Sequence, residues 1–297
     1  MPTYTALTTL PGRKPAEALG AAMERLSPEP TGVGIFELED GSGLWEVGGY
    51  FTDTPDPGGL ALLAEVFGAK PFVVSELPDT DWVAKVRREL TPVTAGRFFV
   101  YGSHDADQVP DGKVALLIDA AMAFGTGHHG TTLGCLQALD ALLEAGVQMR
   151  RVADIGCGTA VLAMAAAHAA LQRGAAGETR IVASDIDPVA VEVAEANLRA
   201  NGLEGRVRCV EAAGFDHPVL ASAAPFDLIF ANILKGPLMA LASDLSAALA
   251  PGGHAILSGI LVEQAADIDA HYAGFGVSLV RREDIGDWAT LTLERNL

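Results

Sequence analysis

Val152-Ala153-Asp154-Ile155-Gly156-Cys157-Gly158-Thr159-Ala160 is the stretch on which the reading of the chain turns. Val152 to Ile155 is a short apolar run of the kind that forms a buried strand. Two glycines one residue apart follow it, and then an alanine-rich run, Val161 to Leu171, that predicts a helix. A strand, a glycine turn and a helix place backbone N–H groups and a helix N-terminus beside a bound ligand. A Cβ at the glycines would block that approach. Asp154, at the strand end, can accept from backbone N–H groups of the turn or from the amino group of an amino-acid-like ligand. An ordinary strand-to-helix turn with Asp154 as a capping residue would use the same residues. The form Asp-x-Gly-x-Gly-x-Ala is not the Gly-x-Gly-x-x-Gly of nicotinamide enzymes.

Downstream, Arg180 to Ser184 predicts a second strand, ending in Asp185-Ile186-Asp187-Pro188. A carboxylate at that strand end offers two acceptors to the two hydroxyls of a ribose. Asp185 is the candidate, whereas Asp187 before Pro188 reads as a helix cap. The distance from Gly156 to Asp185 exceeds the roughly 20 residues of the nucleotide fingerprint. The excess lies in Ala169 to Thr179, a lengthened helix and a glycine-containing turn. Val189 to Ala200 predicts a helix, Arg206 to Glu211 a third strand, and Phe226 to Ala231 a fourth, apolar enough for the middle of a sheet. The fourth runs into Asn232-Ile233-Leu234-Lys235-Gly236-Pro237. His254 to Ser258 is a fifth strand, and Gly276 to Arg281 with Trp288 to Leu293 can close the sheet as a hairpin pair. Alternating strands and helices mean an α/β domain with a doubly wound, mainly parallel, seven-stranded sheet. Ligands of such sheets bind at the carboxyl ends of the strands, where Gly156, Asp185 and Asn232 all fall.

Upstream lies a second glycine-rich stretch, Ala123-Phe124-Gly125-Thr126-Gly127-His128-His129-Gly130-Thr131-Thr132. Its glycines let the backbone fold over a ligand. A helix predicted over Thr132 to Leu143 puts Thr131 and Thr132 near its N-terminal cap. Adjacent histidines point in different directions on most backbones, which argues against a metal pair from His128 and His129. Before this stretch, Phe98 to Tyr101 and Val114 to Ile118 read as strands, with a polar loop, His104 to Gly112, between them.

The first 78 residues differ in character. Thr3 to Leu10, Thr31 to Glu39, Leu44 to Phe51 and Phe72 to Leu77 read as strands, and Arg13 to Leu26 and Gly58 to Phe67 as helices. Glu39 to Gly43 is a hairpin turn by composition. The resulting βαββαβ order is that of a small α+β ferredoxin-like domain. It carries no chemical constellation, so recognition or assembly is its expected role. Trp82 to Leu90 predicts a connecting helix. The expected division is therefore 1–78 for recognition, 79–100 for linker helix and connector, and 101–297 for the catalytic domain.

The chain has 297 residues and a formal net charge of −18. On average such a charge repels free nucleic acid, a local basic patch aside, and attracts a basic protein partner; solubility alone accounts for it equally well. No segment reaches the roughly 20 apolar residues of a membrane span. The N-terminus carries no basic region followed by an apolar run, so no signal peptide is expected and the cytoplasm is the default compartment. Cys135, Cys157 and Cys209 are odd in number and scattered. That argues against both a disulfide framework and a cysteine-ligated zinc.

Asp154-Ile-Gly-Cys-Gly and Asp185-Ile-Asp-Pro resemble the class I methyltransferases that use S-adenosylmethionine. With Phe124-Gly-Thr-Gly, Thr131-Thr132 and Ala231-Asn-Ile-Leu-Lys-Gly-Pro, the chain resembles more narrowly the PrmA family, which methylates the eleventh large-subunit ribosomal protein. The motifs cover Leu117 to about Leu261, and the outline covers the whole chain. The resemblance implies that Thr132, Gly156, Asp185 and Asn232 contact S-adenosylmethionine, and that Asn232 also serves catalysis. It implies transfer of methyl groups to lysine side chains, and to an N-terminal α-amine, of a basic ribosomal protein. Direct nucleic-acid contact, a membrane and a bound metal are not expected, and a monomer is. The family usually has Thr and Pro where this chain has His128 and Gly130. A lysine methyltransferase for another protein, or a nucleic-acid N-methyltransferase, would share the catalytic half. The latter normally follows its Asn with Pro-Pro and an aromatic, where this chain has Ile233-Leu234.

Overall fold

The structure, a computed structural model, describes residues 3–37, 43–77, 92–118, 129–175 and 177–297. The chain divides into two compact units, Met1–Lys85 and Val86–Leu297. The connecting helix expected over Trp82 to Leu90 and the tip of the turn after Glu39 lie outside the described residues, as does the Phe124 to His128 stretch.

In the first unit, β1 (Thr3–Pro11), α1 (Arg13–Met23), β2 (Gly32–Glu37), β3 (Leu44–Phe51), α2 (Pro57–Phe67) and β4 (Val73–Leu77) follow in order. The four strands form one antiparallel sheet in the order β2-β3-β1-β4. The helix α2 is set by local chemistry. Asp56 caps it by accepting from the Gly58 and Gly59 N–H groups at 3.2 and 2.9 Å, and Pro57 begins it. Gly68 ends it in the left-handed conformation at φ +63°. Ala6, Leu10, Leu19, Met23, Val47 and Phe51 form the buried centre of this unit.

The second unit holds two sheets. The smaller has β5 (Val93–Ala95), β6 (Phe98–Tyr101) and β7 (Val114–Leu117). The larger is built from β8 (Arg151–Ile155), β9 (Arg180–Asp185), β10 (Val207–Glu211), β11 (Phe226–Asn232), β12 (Leu249–Leu261), β13 (Val277–Ile285) and β14 (Trp288–Arg295). Its order is β10-β9-β8-β11-β12-β14-β13. The first five strands run parallel and the last two pairings are antiparallel. The mainly parallel, seven-stranded, doubly wound plan expected from the sequence is therefore present. From β8 the chain moves outward through β9 to β10, then returns to the other side of β8 at β11. That reversal opens a crevice at the carboxyl ends of β8 and β11.

Helices cover both faces. The helices α3 (His129–Glu144), α4 (Val161–Gln172) and α5 (Pro188–Ala200) contribute to one core with the small sheet. The helices α6 (Pro218–Ala223), α7 (Lys235–Ala248) and α8 (Ala265–Ala273) contribute to the other. Because the centre of β11 is buried on both faces, Leu228 to Ala231 reads as an unbroken apolar run. The helix α3 begins at His129, three residues before the expected start, so Thr131 and Thr132 lie in its first turn. The polar loop after β6 contains a 3-10 turn, Ser103–Gln108. The fifth strand of the domain, β12, runs from Leu249 to Leu261, well beyond the expected His254 to Ser258.

Two close packings hold α3 in place. A Cβ on Gly96 would fall against the carboxylate of Asp140, which binds Arg97. A Cβ on Gly134 would lie 2.2 Å from Thr290 Oγ1 and 3.0 Å from Thr290 Cβ on β14. Thr290 is itself fixed, with Oγ1 3.0 Å from Ser258 Oγ. Gly134→Val should therefore destabilise the protein, through overpacking of roughly 1–3 kcal/mol. Urea unfolding measures this, and an unchanged midpoint would mean that α3 does not need the glycine.

Candidate functional site

The turn after β8 is shaped by three left-handed residues, Gly156 at φ +70°, Gly158 at φ +51° and Ala160 at φ +60°. The N–H groups of Gly156 and Cys157 both donate to the Ser184 carbonyl, at 2.8 and 2.9 Å. The Gly158 N–H donates to Asp185 Oδ2 at 2.9 Å. The ends of β8 and β9 are thus stitched together by the turn itself. Asp185 Oδ1 accepts from the Asp187 N–H at 3.1 Å. Asp187 in turn caps α5, accepting from the Val189 N–H at 2.9 Å, as its place before Pro188 predicted. Each Asp185 oxygen takes a single backbone bond, which leaves acceptor capacity for a ligand hydroxyl.

Beside this turn lies an open cleft of about 750 Å³, solvent-facing space included. Thr131, Asp154, Gly156, Cys157, Asn232 and Ile233 line it, with Leu234 and Gly259. Asn232 ends β11, and its Nδ2 donates to Thr131 Oγ1 in the first turn of α3 at 3.3 Å. Its Oδ1 has no partner among the described residues. Of the four residues singled out from the sequence, Gly156 and Asn232 line the cleft directly. Asp185 is joined to it through Gly158, and Thr132 is the half-buried neighbour of the lining Thr131.

Ile233 and Gly259 were not anticipated. A Cβ on Gly156 would lie 2.4 Å from Ile233 Cγ2, and one on Gly259 would lie 2.5 Å from the Ile233 carbonyl oxygen. Gly259, at φ +80°, sits where the pairing of β12 with β14 shifts register. An isolated glycine in a strand run signals such a bulge or close approach. The His254 to Ser258 strand was expected to end one residue too early for Gly259 to count as one.

Asp154 is 2 % exposed. Its Oδ2 accepts from the Ala163 N–H in α4 at 3.0 Å, so its backbone donor comes from the helix and not from the turn. Burial pushes this carboxyl up to about 7, the Ala163 N–H opposes the shift, and the nearby Asp185 carboxylate adds to it. The Cys157 thiol is raised well above its ordinary value, first by burial and then by Asp154, Asp185 and Cys209. A thiol held protonated is neither nucleophile nor ready metal ligand.

The raised carboxyl has a consequence for stability. In the unfolded chain Asp154 returns to about 3.9, so between about pH 4 and 7 the folded protein holds a proton that the unfolded chain has lost. Stability contributed by this group is thus lost as pH rises through that window and is level above it. Asp154→Asn should flatten this part of the pH profile and raise stability near neutrality, as urea midpoints from about pH 5 to 8 would register. A variant profile parallel to the wild type would exclude Asp154 as the source.

Comparison with known proteins gives a consistent result. The family model described as ribosomal protein L11 methyltransferase (PrmA) matches residues 20–296. A ribosomal protein L11 methyltransferase of Rhodopseudomonas palustris (strain BisB5) is 45% identical over 267 residues, 89% of this chain and 87% of that protein. One of Mesorhizobium japonicum is 40% identical over 296 residues, 98% and 99% of the two chains. The crystal structure of a ribosomal protein L11 methylase from Lactobacillus delbrueckii subsp. bulgaricus superposes with a TM-score of 0.58 at 26% identity, covering 70% of this chain and 100% of that one. The chain belongs to the ribosomal protein L11 methyltransferase (PrmA) family.

Proposed function

We propose that the chain transfers methyl groups from S-adenosylmethionine to amines of ribosomal protein L11, on lysine side chains and on the N-terminal α-amine. Family membership supports the reaction class and the substrate. The observation that carries the site is the Asn232–Thr131 bond across the cleft, which leaves Asn232 Oδ1 as an open acceptor. The residues present suit the cofactor. Gly156 and Gly158 line the cleft without side chains, Asp185 keeps acceptor capacity for a ribose, and Asp154 adds a buried carboxyl to the lining.

When bound, S-adenosylmethionine supplies a methyl group on a positively charged sulfur. The protein's part is alignment and the delivery of a neutral amine. A lysine amine has a reference pKa of about 10.4 and is charged near neutral pH. Entry into the cleft strips water from it and favours the neutral form. Thr131 turns the Asn232 amide so that Oδ1 accepts from the incoming N–H and orients the lone pair. Asn232 is a poor base, so the proton leaves to solvent or to the substrate's own surroundings. Ile233, held between two glycines, keeps the backbone of Asn232 at a fixed depth in the cleft.

The first unit recognises the substrate on this reading, since the cleft-lining residues among the described ones all belong to the second unit and the first is a compact unit of its own. The excess of acidic over basic residues, 38 against 20, suits a basic ribosomal protein as partner. The same reading makes the protein a cytoplasmic monomer without direct nucleic-acid contact.

Asn232→Ala removes the acceptor and leaves the strand. Turnover on L11 should fall about 100-fold or more while cofactor affinity changes less than about tenfold, the pattern of an interaction made mainly in the transition state. Equal losses in both would make Asn232 a cofactor-holding residue, and wild-type values in both would remove it from the site. A chain starting at Val86 should retain cofactor binding and lose methylation of intact L11. Full activity of that truncated protein would refute the recognition role.

A further inference from the structure

Ala160 is the single non-glycine residue among the described ones with a left-handed backbone. That conformation strains a residue with a Cβ, and it persists where the surroundings over-determine it. The peptide unit that enters Ala160 is held from both sides. Its N–H, on Ala160, donates to the Cys157 carbonyl at 2.7 Å. Its carbonyl, on Thr159, accepts from Asn197 Nδ2 of α5 at 3.1 Å. Thr159 and Asn197 are both buried. The Thr159 hydroxyl adds nothing to the hold, since its Oγ1 has no partner among the described residues. A peptide unit is rigid and turns over as a plate. Turning this one over would bring φ of Ala160 to about −120°, in the ordinary extended region, and would relieve the strain. It would also break both bonds and leave a buried carbonyl unpaired. Of the two bonds, the one that comes from outside the turn is that of Asn197.

The helix that carries Asn197 is braced at both ends. At its start, Asp187 caps α5 and gives its own N–H to Asp185 Oδ1. At its end, the Asn201 amide clamps the Leu117 backbone on β7. Its Oδ1 accepts from the Leu117 N–H and its Nδ2 donates to the Leu117 carbonyl, both at 2.8 Å. Asn201 Nδ2 also donates to the main-chain carbonyl of Asn197 at 2.8 Å. The cleft-lining residues Gly156, Cys157 and Gly158 come just before the held peptide, and Val161 and Leu162 just after it. A change in that peptide therefore displaces lining on both sides. We propose that Asn197 is a positioning residue of the cofactor site. By holding the Thr159 carbonyl it keeps the Thr159–Ala160 peptide from turning over, and so keeps the turn after β8 in the shape that receives S-adenosylmethionine.

This inference rests on the cofactor reading above, and calorimetry with S-adenosylmethionine separates the two. Asn197→Ala removes the donor and leaves the Asn201 clamp, which binds the main chain of residue 197. The dissociation constant should rise roughly 5- to 30-fold, the factor that corresponds to the strain of one left-handed alanine. The same substitution made in Ala160→Gly protein should raise it less than about threefold, because a glycine gains nothing from the flipped form. Asn197→Asp keeps the shape of the side chain without the donor and should lose at least as much as Asn197→Ala.

Wild-type affinity in folded Asn197→Ala protein, with or without a lowered urea midpoint, overturns the proposal and leaves the cofactor reading standing. Wild-type protein that gives no binding heat overturns both. Losses of equal size with alanine and with glycine at position 160 would mean that Asn197 acts through the packing of α5, which also overturns it. Hydrogen exchange in the wild type decides the question where no Asn197 variant folds. The Ala160 amide should be protected before any cofactor is added. An amide that exchanges freely in the cofactor-free protein and slows on addition of S-adenosylmethionine would mean that the ligand, not Asn197, sets the turn.

Discussion

The cleft depends on one steric constraint, the passage of Ile233 between Gly156 and Gly259. Its Cγ2 packs where a Cβ of Gly156 would stand, and its backbone runs where a Cβ of Gly259 would stand. Both glycines are in the left-handed region, so the gap is set by backbone conformation as well as by the missing side chains. The Ile233 N–H donates to the Ser258 carbonyl at 3.2 Å, which ties the same residue to the next strand. Through Ile233 the ends of β8, β11 and β12 become one rigid rim. Asn232 is the residue just before it, so its position is inherited from this packing.

The second dependence is electrostatic. A buried carboxyl such as Asp154 costs stability when ionised and uncompensated. The neighbouring Asp185, at the end of the adjacent strand β9, is bound to two backbone N–H groups and is more exposed, so the two carboxylates sit in different environments. Asp185 accepts one backbone bond on each oxygen, and Asp154 accepts one, from the Ala163 N–H of α4.

The larger fold was legible because its signals are local and repeated. Alternating apolar strands and helices, with Gly156, Asp185 and Asn232 each at a strand end, gave the parallel sheet and the crevice. The capping role of Asp187 before Pro188 could be read from two residues. Less legible were features decided by partners distant in sequence. The 3-10 turn at Ser103–Gln108 lies in a polar run that carries no periodicity. The early start of α3 at His129 was hidden by Gly130, which reads as a helix breaker but here fits beneath Trp288 and the Ile285 carbonyl. The bulge at Gly259 depends on Ile233, 26 positions away, and the Thr131–Asn232 bond spans 101 positions. Neither pairing has a sequence period to betray it.

Ala160 is the third left-handed position of the turn and the one that carries a methyl group. Holding an alanine there costs roughly 1–2 kcal/mol against a residue without Cβ. The same methyl group restricts the unfolded chain, and that restriction is worth about 0.4–1 kcal/mol to the folded state. The strain is the larger of the two, so stability favours glycine at this position. What alanine offers instead is stiffness: the methyl group narrows the range of shapes open to the turn before any ligand arrives. In this chain the turn after β8 is thus set in advance by a residue whose side chain makes no capping hydrogen bond.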